Sequence, residues 1–212
     1  MNTPANPDLL TLRDIGFAYP GEPPIVTGWS TSIGPGVTLL YGDTGSGKST
    51  LLRVIAGHLS ASGSLRLAGA SLGSDRAAYM RNVLFVDPVT DAFDQMTGLA
   101  CMAALREGDP GFDEARWQAL VDGFSLGPHL EKKLFMLSTG SKRKVWLAAA
   151  LASGRALALL DEPTYGLDAG SRRCLWETLT ALSKNPNRAV IVASSEHLDQ
   201  VPFGATLSLR KI

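Results

Sequence analysis

The nonapeptide GDTGSGKST, Gly42 to Thr50, constrains this chain more tightly than any other stretch. It fits the pattern G-x-x-x-x-G-K-[ST] in full, follows the apolar run VTLLY and precedes LLRVIAGHL, the context of a tight loop joining a buried strand to a helix. Gly42, Gly45 and Gly47 let the backbone turn sharply and aim its N–H groups inward at a helix N-terminus, which makes a nest for phosphate oxygens. Lys48 adds a positive charge for β- and γ-phosphates, and Ser49 offers a hydroxyl to Mg²⁺. Asp43, Thr44, Ser46 and Thr50 complete the loop residues expected around the phosphates. An accidental Lys-Ser pair in a glycine-rich turn does not account for the strand context, three glycines and full spacing together.

The rest of the chain must fold around that loop. Its 212 residues are enough for one large domain or two small ones with a substantial core. Lys+Arg and Asp+Glu both total 20, a balance that gives no sign of an extended nucleic-acid surface. Cys101 and Cys174 lie far apart, fit no metal-ligand spacing and read as reduced cytosolic thiols. The start, MNTPANPDLL, lacks the basic and apolar regions of a signal peptide and is expected to be a loose arm. The longest apolar stretch, VWLAAALASGRALALL, is cut by Gly154 and Arg155, too soon for a membrane span, so a soluble chain is expected.

GVTLLYG, LRVIAGHL, NVLFVD, ALALLDEP and AVIVASS set a rhythm of apolar strand-like runs alternating with helical patterns, which argues for an α/β sheet with helices on its faces. From about Asp87 to Leu137 there is no clear buried strand. Phe112, Ala115, Leu120, Val121 and Phe124 recur there at roughly helical spacing, and GDPG marks a turn between two helices. This segment reads as a helical insertion packed on the core. With no linker or internal repeat evident, residues 1–212 are expected to form a single domain, with a helical subdomain about 87–141 inserted in a core of about 1–86 and 142–212.

ALALLDEP reads as a buried strand that delivers Asp161 and Glu162 to its carboxyl end. The first carboxylate suits Mg²⁺, and the second can orient and deprotonate an attacking water. An N-cap is the competing reading of Asp161, set behind the metal role. Between the two motifs lies LSTGSKRKV, Leu137 to Val145, just before an alanine-rich helix. On these residues the chain resembles the ATP-binding cassette (ABC) ATPase domains, in which an L-S-G-G-Q signature opens a helix shortly before the acidic strand. Ser138 and Gly140 match its serine and second glycine, whereas Thr139 and Ser141 replace the first glycine and the glutamine. A serine at a helix start also suits an ordinary N-cap.

The resemblance extends over nearly the whole chain. YGLDAGSR is similar to the family's D-loop and places Asp168 where a partner subunit's nucleotide site would meet it. FAYPG is similar to the adenine-stacking segment, with Tyr19 on the purine face. Ile15, Phe17 and Tyr19 also share one strand face by period two, so core packing is the competing reading of Tyr19. Two places depart from the pattern. Where the family carries a glutamine that touches Mg²⁺, this chain has DPVTDAFDQ, and Asp87 as a replacement ligand, Gln95 placed late, or a simple Asp-Pro turn all fit. Where the family's strand ends in a γ-phosphate histidine, VIVASSEHLDQ aligns Ser195, with His197 two residues on. The reading favoured here has Ser194 or Ser195 capping a helix that carries His197 away from the site.

The resemblance implies a P-loop NTPase-type fold with a mainly parallel sheet, an N-terminal antiparallel β part and an inserted α-helical subdomain. It implies ATP and Mg²⁺ as ligands, with Glu162 as general base, Lys48 and Ser195 at the phosphates, and Ser49, Asp161 and Asp87 at the metal. It further implies ATPase activity that energises a separate integral membrane permease, a second ABC-type domain (homodimer or heterodimer) and a position at the cytoplasmic face of the membrane. The short length is similar to that of small export-type ATPase subunits. The alternatives are a soluble ABC ATPase of another process and a nucleotide-gated binding module with little turnover.

Overall fold

In the computed structural model residues 8–209 are described, so the first seven residues of the expected N-terminal arm lie outside them. The chain runs β1 (Leu10–Phe17), β2 (Val26–Ile33), β3 (Gly36–Tyr41), α1 (Lys48–Ile55), β4 (Ser62–Leu67), β5 (Ala70–Ser71), α2 (Arg76–Arg81) and β6 (Val83–Phe85). It continues with α3 (Gly98–Arg106), α4 (Glu114–Gly123), α5 (Thr139–Ala152), β7 (Leu157–Asp161), α6 (Ala169–Leu182), β8 (Ala189–Ser194) and β9 (Ala205–Ser208). Two sheets result. One is antiparallel in the order β2-β1-β4-β5, and the other is parallel in the order β6-β7-β8-β3-β9.

The parallel sheet divides the interior in two. Leu157, Leu159, Ala189, Ile191 and Ala193 join a core with α1 and the antiparallel sheet, whereas Ala158, Leu160, Val190 and Val192 join a core with α3, α4, α5 and α6. This is the period-two alternation of a strand covered on both faces, and it is why AVIVAS is apolar almost throughout and every residue of β8 is buried. Each fully buried Val, Ile or Leu contributes roughly 1.5–3 kcal/mol by leaving water.

Residues 87–137 contain α3, α4, two 3₁₀ turns and a single isolated bridge between Thr97 and Lys133. Cys101, Trp117 and Leu120 of this segment lie in the same core cluster as Val190 and Leu160. Asp109 and Gly111 of GDPG sit in the turn between α3 and α4, and Asp109 Oδ2 there accepts from Ser153 Oγ at 2.7 Å. The helical spacing needs one correction: Ala115 is exposed, and Trp117 fills the core instead. Asp113 caps α4 by accepting from Arg116 N, which starts the helix after Phe112 and turns Trp117 inward with Leu120 and Val121.

Register places the functional edge. Tyr41 pairs with Ser194, and Asp161 pairs with Ala193, so β3, β7 and β8 end side by side. The residues following these strands, Gly42, Glu162 and Ser195, therefore emerge together at the carboxyl edge of the sheet, where ligands of open α/β folds bind.

Candidate nucleotide site

The phosphate loop is built from backbone. Gly47 is the N-cap of α1, with φ of 97° and no side-chain cap, so the first-turn N–H groups of α1 are left to face an incoming anion. A Cβ on Gly47 would stand 2.2 Å from Ile25 Cγ2. Only glycine gives both the left-handed turn and the close approach. Inside the loop Lys48 is 4% exposed, and its Nζ donates to the Gly42 carbonyl at 2.8 Å and the Asp43 carbonyl at 3.1 Å. Ser46 Oγ is buried without a partner among the described residues. Asp43, Thr44 and Gly45 are exposed, and Thr50 is buried in α1.

Glu162 faces that loop from β7. Its Oε1 lies 3.2 Å from Lys48 Nζ, and its Oε2 accepts from Ser195 N at 3.3 Å. Its backbone has φ of 43°, a left-handed conformation that costs a non-glycine residue about 1–3 kcal/mol and needs support. The support is on both sides: Glu162 N donates to Ala193 O at 2.9 Å, and its carbonyl accepts from Tyr165 N at 3.1 Å and from the Arg143 guanidinium. Arg143 was missed in the sequence because it lies 19 residues away, inside an otherwise ordinary basic run.

Asp161 is mostly buried, and that burial pushes its carboxyl above the usual carboxylate range against a lowering hydrogen bond from Ser49. Its Oδ1 has no partner among the described residues, and it caps no helix. A buried carboxylate oxygen with nothing to accept from, beside a serine hydroxyl, fits a hard cation that takes oxygen ligands. Asp87 is differently placed. Arg53 Nε donates to its Oδ2 at 2.5 Å and Arg53 Nη2 to its Oδ1 at 3.2 Å, while Val89 N also donates to Oδ1 at 3.2 Å. The carboxylate is spent on a guanidinium and on a turn at Pro88 and Val89, so the geometry favours the turn reading over the metal ligand. Gln95 is exposed.

Tyr19 stands beyond the end of β1, which stops at Phe17, so the period-two argument for core packing no longer reaches it. It is 37% exposed, edge-on to Phe17 with ring centroids 5.0 Å apart, and its hydroxyl is 3.3 Å from Thr50 Oγ1. With Pro23, Pro24, Ile25, Gly45 and Ser46 it lines a cleft of about 430 Å³ that opens beside the phosphate loop.

Ser138 and Gly140 open α5 and do not line that cleft. Ser138 is an N-cap, its Oγ accepting from Ser141 N at 3.1 Å. Gly140 meets the chain after Glu162 so closely that a Cβ would lie 2.3 Å from Gly166 O. Asp168 caps α6 through Ser171 N and pairs with Lys144 Nζ at 2.6 Å; the ammonium beside it and the Ser171 donors hold its carboxyl well below the usual range.

The expected helix after β8 is absent. Ser195 and Glu196 form a bend, Asp199 and Gln200 a turn, and His197 stacks on Tyr41 with ring centroids 4.0 Å apart. Pro202 accounts for the difference, because it disfavours a helical Val201 and leaves no room for two turns. The imidazole of His197 is thus placed by a stack on Tyr41 and not by a helix.

A family profile described as ABC transporter matches residues 27–165. The chain is 32% identical over 202 residues to the lipoprotein-releasing system ATP-binding protein LolD of Pseudomonas fluorescens, covering 89% of this chain and 88% of that protein. It is 34% identical over 199 residues to ATP-binding cassette sub-family A member 7 of Mus musculus, where the match spans 89% of this chain but only 9% of that much longer protein. Among solved structures, an ABC transporter ATP-binding protein from Pyrococcus furiosus superposes with a TM-score of 0.75 at 22% identity, over 94% of this chain and 96% of the other, which supports the fold. With the loop, the acidic strand end and the two-sheet architecture, these matches establish that the chain belongs to the ABC transporter family and carries that family's ATP-binding domain.

Proposed function

We propose that this chain binds MgATP, hydrolyses it and thereby drives a separate membrane permease from the cytoplasmic face. The observation that carries the reading is the meeting of Lys48, Ser49, Asp161, Glu162 and Ser195 at one sheet edge, with Glu162 held by five separate backbone and side-chain contacts. The first-turn amides of α1 and Lys48 bind the β- and γ-phosphates, and Tyr19 stacks on the purine in the neighbouring cleft. Ser49 and Asp161 would hold Mg²⁺, which when bound supplies positive charge to the phosphate oxygens. Glu162 takes the proton of the attacking water, while Lys48 offsets negative charge on the transferred phosphoryl group. Ser195 offers its hydroxyl at the γ-phosphate.

Ser138, Gly140 and Asp168 face a second ABC-type domain in this reading, since none of them lines the cleft of its own chain. The segment of about 87–141 acts as a helical subdomain that passes the motion to the permease. No described helix is long and apolar enough to cross a membrane. LolD is named as part of a lipoprotein-releasing system, which favours transport over a soluble process. Phosphate release by the purified chain with MgATP, together with copurification of a multi-span protein from native membranes, tests the proposal. A chain that neither binds ATP nor releases phosphate overturns the motor, and recovery only in soluble complexes overturns the permease.

A further inference from the structure

We infer that Arg143 is the positioning residue of Glu162, holding the backbone of the proposed base in the geometry that aims its carboxylate at the loop. The inference rests on the reading of Glu162 as base. Three observations carry it. The Arg143 guanidinium donates to the carbonyl of Glu162, the residue that departs from ordinary backbone geometry with φ of 43° at the end of β7. Arg143 is 9% exposed and sits over the Tyr165 ring at 5.3 Å, so it is a buried cation facing an aromatic ring and not a solvated surface charge. Its position on α5, five residues after Ser138, ties that helix directly to the strand end.

The chemistry argues against a purely structural role. A buried guanidinium is costly, and a carbonyl that already accepts from Tyr165 N does not need a second donor to avoid being orphaned. What the second donor adds is direction. A left-handed residue can relax by rotating its peptide plane, and a planar guanidinium fixed on an aromatic ring resists that rotation. Relaxation would swing the Glu162 carboxylate away from Lys48 Nζ and Ser195 N, 3.2 and 3.3 Å away. Misplacement by an ångström is enough to cost about 10²-fold in rate.

The test is a double-mutant cycle of Arg143→Met and Glu162→Gln, with Arg143→Lys as the conservative variant, read by steady-state and single-turnover ATP hydrolysis and by equilibrium binding of a fluorescent ATP analogue. Arg143→Met keeps the apolar stem and removes the donor. It is expected to lower kcat at least about tenfold with KM and ATP affinity nearly unchanged. Arg143→Lys should recover part of the loss, and Arg143→Met should add nothing in the Glu162→Gln background. Full turnover in Arg143→Met overturns the inference, as does a loss that persists additively in Glu162→Gln. If Arg143→Met does not fold, the Lys variant decides: unchanged kcat in it overturns the proposal, and a kcat loss at unchanged KM supports it. Wild-type turnover in Glu162→Gln alone would instead defeat the reading of Glu162 as base.

Discussion

Strands β7 and β8 run side by side in register, both buried, and end at the same edge, yet their tips are held in opposite ways. At the β7 tip every polar group of Glu162 is pinned: its N to Ala193 O, its carbonyl to Tyr165 N and Arg143, and its two carboxylate oxygens to Lys48 Nζ and Ser195 N. The β8 tip has few ties. Beyond Ser194 it bends, and its polar ties are the Ser195 N–H to Glu162, Gly42 N to Ser194 O at 3.3 Å and Glu196 N to Ser194 Oγ, beside the flat stack of His197 on Tyr41 and the burial of Leu198 and Val201. Equal burial along the strands therefore does not give equal order at their ends. Order there follows from how many backbone and side-chain groups converge from other elements, and β7 faces α1, α5 and β8 at once.

The sharpest break in this comparison is Glu162→Gln. If the pinned tip supplies the base, the amide should keep its shape while hydrolysis falls by about 10²–10⁴-fold, with ATP binding retained and an ATP-dependent dimer visible by size exclusion. Undiminished phosphate release would place the base elsewhere. Next in size is Lys48→Ala, which deletes the ammonium that faces both Glu162 and the loop carbonyls. Charge-assisted hydrogen bonds are worth about 1.5–3 kcal/mol, so affinity for a fluorescent ATP analogue should drop roughly 10- to 150-fold in a folded protein. Unchanged affinity would remove the loop from the site.

A smaller effect is expected from Gly140→Ala, where two contributions compete. Alanine favours the helix by up to about 1 kcal/mol over glycine. The added Cβ, however, would stand 2.3 Å from Gly166 O, a backbone atom that cannot turn aside as a flexible side chain would. Overpacking typically costs about 1–3 kcal/mol, so the clash outweighs the propensity gain and the net loss is a few degrees in melting temperature. Because Gly166 lies four residues beyond Glu162, hydrolysis should fall with it. A stabilised variant would show that α5 does not lock the β7 tip.

How far the sequence reached depends on the kind of signal. The phosphate loop and the acidic strand end were legible because each is local: GDTGSGKST and LLDEP carry strand, turn and chemistry within a few residues. The parallel sheet was legible from apolar runs such as AVIVAS. What sits on the loop from elsewhere was not. Arg143 reaches Glu162, and Arg53 takes Asp87, over separations of 19 and 34 residues, and no periodicity encodes such contacts. The end of β8 was misjudged for a different reason. Leu198 and Val201, both buried and three apart, imitate a helical face, while Pro202 and the Tyr41 ring decide the conformation.

The finest test of the comparison lies in SSEHLDQ. If the loose β8 tip places Ser195 beside the γ-phosphate, then Ser195→His should raise turnover by up to roughly tenfold, below what a positioned proton-transfer group can give, because the bend is held by few contacts and the new imidazole must order itself. His197→Ala should leave turnover nearly unchanged. His197 is committed to Tyr41, the residue just before the loop, and its loss removes a stack worth about 0.5–1.5 kcal/mol without touching Glu162. The predicted signature of His197→Ala is therefore a small fall in melting temperature at constant kcat. The Ser195→His gain depends only on the strand register that sets Ser194 opposite Tyr41, so it should survive in the double variant. Steady-state phosphate release at saturating MgATP separates the outcomes. A large kcat loss in His197→Ala with intact ATP binding would mean that the stack itself holds the site and that the β8 tip is as tightly determined as its neighbour. No gain in Ser195→His would mean that the bend directs Ser195 away from the phosphate, leaving its N–H bond to Glu162 as its only tie to the site.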